Sequence, residues 1–186
     1  MDDKVLKVIE KLEKVRKETD NIYWNISSET AKFLYIWVKS MKAKNVLEIG
    51  TSNGYSGLWL ASAISGNGGS LTTVESFQER FDLAEENFAE AGLAEVVNQV
   101  LGHAPEIIPD LQGEFDFAFF DATKKEHITY FDTVLPKLKT GGVIVVDNVV
   151  SHKEQLKEFI DYVDERQDVE SLEVPLGSGL LMILKQ

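Results

Sequence analysis

Three short stretches carry side chains able to do chemistry: Asp121 with Lys124, Asp147 with Asn148, and the run Glu48-Ile49-Gly50-Thr51-Ser52-Asn53-Gly54-Tyr55-Ser56. Asp121 follows Phe117-Ala118-Phe119-Phe120, and Asp147-Asn148 follows Val143-Ile144-Val145-Val146. Each apolar run reads as a buried strand that delivers its polar end to a sheet edge. Two carboxylates and an amide oxygen, with no His or Cys, form a hard-oxygen set. It favours Mg²⁺, Ca²⁺ or Mn²⁺ over zinc, with water or substrate oxygens completing the octahedron. Asp and Asn are also ordinary caps at strand-to-helix junctions, so capping is the competing reading at both places. Lys124 lies three residues after Asp121, in the expected first turn of a helix. A lysine there opposes the helix dipole, so helix stability does not account for it. Beside a divalent cation its ammonium would release a proton more readily, which suits a general base. Its neighbour Lys125 reads as solvated surface.

The glycine run has the spacing G-x-x-x-G between a strand and a helix, where glycines permit a tight turn and close approach of a ligand. It is not the G-x-G-x-x-G that seats a pyrophosphate on a helix N-terminus. Glu75 stands 25 residues after Gly50 at the end of the next apolar run. A carboxylate there can accept hydrogen bonds from ribose hydroxyls; a helix N-terminal carboxylate favoured by the dipole is the alternative. Gly102-His103-Ala104 follows a third run, where an adenine ring could lie, although His103 taken alone reads as a surface residue.

The elements that must position these groups are legible from periodicity. Val5 to Val15 has helical spacing, and a second helix is capped at Ser27-Ser28 and runs to about Met41. Strands are expected at Val46–Ile49, Leu71–Val74, Val96–Leu101, Phe115–Phe120 and Val143–Val146. Helices are expected between them: one through Leu58–Ala61, one from Phe77 to Ala91 closed by Gly92, and a short one at Ile107-Ile108 that Pro109 restricts. A further helix runs through Phe131 and Leu135 and closes near Gly141-Gly142, and another spans Glu154 to Val163. The end reads as a hairpin, Val169–Val174 and Leu180–Leu184. Five βα units demand right-handed crossovers and a mostly parallel sheet covered on both faces, closed here by one antiparallel strand. In such sheets ligands sit beyond the carboxyl ends of the strands, near the point where strand order reverses.

A chain of 186 residues fits one domain, with N-terminal helices over 1–42 and a core over 43–186. It has no cysteine, hence no disulfide, thiolate zinc site or cysteine nucleophile. No apolar run reaches the roughly 18 residues that span a bilayer, and the first residues have no secretory pattern, so no membrane role and a cytoplasmic location are expected. The net charge of −12 repels phosphate backbones and argues against bulk nucleic-acid binding. Lysines cluster in the first 45 residues, but they alternate with glutamates and apolar positions, as on a solvated helix face.

Together these residues resemble the cation-dependent O-methyltransferase family that includes catechol O-methyltransferase and caffeoyl-coenzyme A O-methyltransferase. The similarity runs from about Ser27 to the C-terminus and rests on Glu48-Ile49-Gly50-Thr51…Gly54-Tyr55-Ser56, Asp121-x-x-Lys124 and Val146-Asp147-Asn148. It implies a Rossmann-like class I methyltransferase fold: a seven-stranded, mostly parallel sheet with an antiparallel last strand and helices on both faces. It implies metal-dependent methyl transfer from S-adenosylmethionine to a hydroxyl of a small catechol-like acceptor. By resemblance, Glu48, Gly50 and Ser56 contact the methionine part of the cofactor and Glu75 the ribose, while Gly102, His103 and Ala104 surround adenine. Ile26 and Ser27 match the segment that closes over the cofactor, and Thr51, Ser76 and Asp121 complete the set. Asp121, Asp147 and Asn148 hold Mg²⁺ or a similar ion, and Lys124 is the base.

The chain departs from the family in three places. Only Val149 to Lys153 separate Asn148 from the next helix, where relatives carry an extra loop that covers the acceptor and builds the dimer. The N-terminal extension is short, and position 127 is His where tyrosine often stands. An open acceptor side is therefore expected. It leaves room for a second reading, methylation of 5-hydroxyuridine in transfer RNA, which the net charge opposes. A third reading is cofactor binding without catalysis, which intact Asp121, Lys124, Asp147 and Asn148 oppose. The missing G-x-G-x-x-G and the terminal hairpin speak against a nicotinamide oxidoreductase. Trp24, Trp37 and the first helix could form a homodimer surface, but burial in the core is the favoured reading for them.

Overall fold

The computed structural model describes residues 1–186. Two helices, α1 (Asp3–Glu18) and α2 (Ser28–Ser40), precede an alternating series. This comprises β1 (Asn45–Ile49), α3 (Tyr55–Ile64), β2 (Ser70–Glu75), α4 (Gln78–Glu90), β3 (Val97–Leu101), α5 (Ala104–Ile107), β4 (Phe115–Phe120), α6 (His127–Val134), β5 (Leu138–Asp147) and α7 (Lys153–Asp164). The hairpin β6 (Val169–Val174) and β7 (Leu180–Lys185) closes the chain. The sheet order is β3-β2-β1-β4-β5-β7-β6. β1 to β5 pair in parallel, and β7 alone runs against both of its neighbours. The order of strand addition reverses between β1 and β4, and their carboxyl tips, Ile49 and Phe120, are register partners there.

Strand alternation sorts the side chains onto two faces. Val46, Phe117, Phe119, Val143 and Val145 pack with α1 to α4. Leu47, Ile49, Ala118, Phe120, Ile144 and Val146 pack with α6 and α7. Glu48 falls between Leu47 and Ile49, so its carboxylate points with Val46 toward the face of α1 to α4. Both helix starts at the N-terminus are capped: Asp2 accepts the Lys4 amide, and Ser27 accepts that of Thr30. The Ser27 cap is the one anticipated from the sequence.

Three local differences from the sequence reading have physical causes. The helix expected to reach Gly141-Gly142 stops at Val134, where Pro136 tightens the next residues into a 3₁₀ turn, Leu135–Lys137. β5 then begins at Leu138, with a bulge: Leu138 pairs with Phe115 and Val143 with Phe117. Gly142 permits it, since a Cβ there would come within 2.7 Å of Leu138 Cγ. Lys124 opens a 3₁₀ turn, Lys124–Glu126, before α6 rather than lying in the helix itself. Trp24 is not core; it is 72% exposed, with the Arg80 guanidinium 4.9 Å from its ring centre. Trp37 is half-buried and stacked on Phe33.

Candidate active site

The carboxyl tips of β1, β2, β4 and β5 converge, and backbone contacts set their spacing. The Asp121 amide donates to the Ile49 carbonyl at 3.0 Å, and the Gly50 amide donates to the Val74 carbonyl at 3.0 Å. Gly50 has φ +101, and a Cβ on it would lie 2.4 Å from the Asp121 carbonyl oxygen. Only glycine lets the β1 loop pass so close to the end of β4.

On the β1–β2 side, Glu48 is wholly buried. One of its oxygens accepts the Thr73 hydroxyl at 2.6 Å, and Thr73 in turn meets the Thr51 hydroxyl at 2.5 Å. The other oxygen, Oε1, has no partner. Burial pushes this carboxyl up to about 7, against the Ser56 and Thr73 hydroxyls, and the negative charges of Asp121 and Glu75 add to the rise. Glu75 is also buried, but its carboxylate is tied down by the amides of Ser52, Ser76 and Phe77, at 2.8, 2.9 and 3.0 Å. These three bonds orient it and leave lone-pair capacity for one more donor.

A strap over residues 21–27 crosses these loops. The Ser52 hydroxyl donates to the Tyr23 carbonyl at 2.8 Å, and Arg16 donates to the Ile26 carbonyl at 3.0 Å. Ser27 abuts the β6–β7 turn, where a Cβ on Gly177 would sit 3.1 Å from the Ser27 hydroxyl.

On the β4–β5 side, Phe120 pairs with Val146, so Asp121 and Asp147 leave neighbouring strands at the same level. Asp147 is 2% exposed and accepts the Ser178 hydroxyl at 2.6 Å. Burial, followed by the charge of Asp121, pushes its carboxyl up to about 6. Lys124 Nζ donates to Asp121 Oδ1 at 3.2 Å, both side chains being mostly buried. Asn148 takes a left-handed backbone, φ +71, which Asn tolerates better than most residues. No third carboxylate, histidine or cysteine gathers at this corner. A cation here would have oxygen donors from two carboxylates and one amide, and its charge would offset both the burial of Asp147 and its repulsion by Asp121. The donors fit a hard divalent ion that keeps open positions for water or substrate.

His103 does not join either group. Its exposed ring lies between Glu126, at 2.9 Å, and Glu106, at 3.4 Å. The Glu126 hydrogen bond raises its pKa, in keeping with a surface residue. Gly102 donates its amide to the Glu75 carbonyl at 2.8 Å, which sets Gly102 and the start of α5 at Ala104 beside the β2 tip. His127 is fully buried among Phe120, Tyr130 and Phe159, and burial lowers its pKa to about 4. It is a neutral core residue. Sequence reasoning missed Thr73 and Ser178, which hold Glu48 and Asp147. A register for β1 against β2 would have found the first, and an inserted β7 the second.

Comparison with known proteins shows the family and the fold. A family model described as O-methyltransferase matches residues 3–186. A catechol O-methyltransferase of Mycobacterium tuberculosis is 37% identical over 126 residues, covering 67% of this chain and 57% of that protein, so the match spans less than two thirds of the relative. A caffeoyl-CoA O-methyltransferase of Populus kitakamiensis is 31% identical over 166 residues, covering 84% of this chain and 70% of that one. The crystal structure of an O-methyltransferase from Bacillus cereus in complex with SAH superposes with a TM-score of 0.88 at 28% identity, covering 97% of this chain and 91% of the other. By sequence along nearly its whole length, and by fold, the chain belongs to the O-methyltransferase family.

Proposed function

We propose that the chain transfers the methyl group of S-adenosylmethionine to a hydroxyl oxygen of a small catechol-like diol, with a divalent cation held by Asp121, Asp147 and Asn148. The observation that carries this reading is the pair of carboxylates that Asp121 and Asp147 bring to adjacent strand tips, with Lys124 beside them. The names of the catechol and caffeoyl-CoA relatives support the acceptor class.

The chain's residues divide the work. The unpartnered Glu48 Oε1 suits the ammonium of the methionine end, and Gly50, Thr51 and Ser56 line the same loop. Glu75, fixed by three amides, accepts a ribose hydroxyl, with Ser76 beside it. Gly102 and Ala104 would flank the adenine, and the Ile26-Ser27 strap and Asp121 would face the methionine end. S-adenosylmethionine would supply an electrophilic methyl group, and a cation held by Asp121, Asp147 and Asn148 would supply Lewis acidity toward the acceptor hydroxyl. Lys124 in its neutral form, its ammonium proton given up to solvent, would take the proton of the acceptor hydroxyl as that oxygen bonds to the methyl carbon and S-adenosylhomocysteine leaves. Asp147, anchored by Ser178, and Asn148 keep the diol oriented so that its oxygen meets the methyl group in line. Residues 1–42 and 43–186 act as one unit in this reading, because the strap is hydrogen-bonded to Ser52.

The test is transfer of labelled methyl groups to catechol with Mg²⁺ or with excess EDTA. Lys124→Met and EDTA should each lower turnover by about 100-fold or more, the scale of general-base and Lewis-acid contributions, while cofactor binding survives. Full turnover in EDTA refutes the metal role. Full turnover of Lys124→Met refutes the base.

A further inference from the structure

At the opposite edge of the sheet, where the strands begin, lies a groove of about 900 Å³. Four lysines from three segments line it: Lys4 on α1, Lys39 on α2, and Lys42 and Lys44 on the link between α2 and β1. None of the four is within ion-pair distance of a carboxylate. Lys39 Nζ donates only to the Tyr35 hydroxyl, at 2.9 Å, which leaves its charge unbalanced. The backbone amide of Lys44 is used by Asp116, so the segment is anchored while its ammonium stays free. Asp2 is the sole acidic residue in the lining, and it is occupied as the cap of α1. Ser65 and Asn67 complete the lining, their polar groups bonded to the Ser62 and Ala43 carbonyls, and Val5, Tyr35 and Leu93 contribute apolar surface.

On a chain of net charge −12, this is a local reversal of sign. Unpaired like charges gathered in one concavity repel one another and raise the local concentration of anions. We propose that the groove binds a small polyphosphate-bearing molecule, with the four lysines on its phosphates and Tyr35 and the apolar wall on any attached organic group. The size fits one small molecule, since ligand sites measure about 300–1,000 Å³. A long nucleic acid fits less well, because it would extend beyond the groove over an acidic surface that repels it. The residues involved are separate from those placed at the methyl-transfer site, so this inference does not rest on that reading.

Calorimetric titration with tripolyphosphate, ATP, adenosine and transfer RNA in metal-free buffer tests the proposal. Tripolyphosphate and ATP should bind at one site and weaken as salt rises, while adenosine does not compete. Equal affinities identify the phosphates alone as the recognised group, and tighter ATP binding adds the nucleoside; either supports the proposal. Lys42→Glu/Lys44→Glu should weaken both ligands at least tenfold. The control Lys14→Glu/Lys17→Glu makes the same change in net charge on the exposed face of α1 and should leave binding unchanged. S-adenosylmethionine binding should be the same in both variants, which shows that they fold. No tripolyphosphate binding, binding that Lys42→Glu/Lys44→Glu leaves intact, an equal loss in the control, or binding of transfer RNA alone overturns the proposal.

Discussion

Glu48 concentrates the conflict between folding and function in one side chain. Its carboxyl is wholly buried, one oxygen has no donor, and its pKa stands near 7 instead of 4.5. A carboxyl whose folded pKa is raised binds more protons in the folded state than in the unfolded chain between those two values. Stability therefore falls as pH rises from about 4.5 to about 7, and the whole deficit persists above that. A rise of that size corresponds to roughly 3 kcal/mol. Glu48→Gln removes the buried charge while keeping the oxygen that accepts from Thr73. The cofactor-free variant should melt several degrees higher than the parent at pH 8 and about equally near pH 4.5, and it should lose cofactor affinity. Calorimetric melting at the two pH values reads this directly; equal melting temperatures at pH 8 would remove the argument. That Glu48 stands at the tip of β1 was legible from its place before Gly50. Its isolation was not, because the hydroxyls around it come from β2, whose register against β1 no local pattern specifies.

Elements explain what single residues cannot. The helices, the five parallel strands and the closing hairpin were readable from periodicity, turn residues and caps, because each signal is local. The β5 bulge was not: Leu138 to Gly142 has no strand alternation and becomes a strand only by pairing with Phe115. The position of β7 was also hidden. Sequence order would place β6 next to β5, but β7 lies between them, with Leu180 opposite Asp147. This insertion swings the turn back over the site, where Ser178 reaches Asp147 at 2.6 Å. Removing such a supporting hydrogen bond commonly costs 10–100-fold in metal affinity. Ser178→Ala should therefore raise the Mg²⁺ concentration for half-maximal activity about tenfold while leaving the cofactor Kd unchanged; a shift in both would mean that the whole turn had collapsed. At the tip of β1, Gly50→Ala meets the Asp121 carbonyl and an unfavourable φ together. It should destabilise the fold by about 2–4 kcal/mol, the range for strained backbone substitutions combined with overpacking, as measured by urea unfolding.

At the scale of the molecule, the strand order divides the site into halves. Glu48, Glu75 and Gly102 come from the tips of β1, β2 and β3 on one side of the reversal, and Asp147 and Asn148 from β5 on the other. Asp121, at the tip of β4, is the shared member. The sequence located both halves through their order along the chain, but net charge hid a further division, since −12 says nothing about where the charges lie. Lysines that look like one solvated helix face come from three segments and meet behind the sheet. The division of the site makes its own prediction. If the cofactor half is preformed, binding of S-adenosylmethionine does not need the cation, and its stabilising effect should be the same with Mg²⁺ or EDTA. At a ligand concentration of 100 Kd that effect is about 2.7 kcal/mol, which for a chain of this size raises Tm by about 5–10 °C. If Asp121 serves both halves, as proposed, Asp121→Ala should reduce the rise, whereas Asn148→Ala should leave it intact and abolish only turnover. A rise in Tm that vanishes in EDTA would mean that the cation organises the β1 and β2 loops as well, and the independence of the two halves would have to be abandoned.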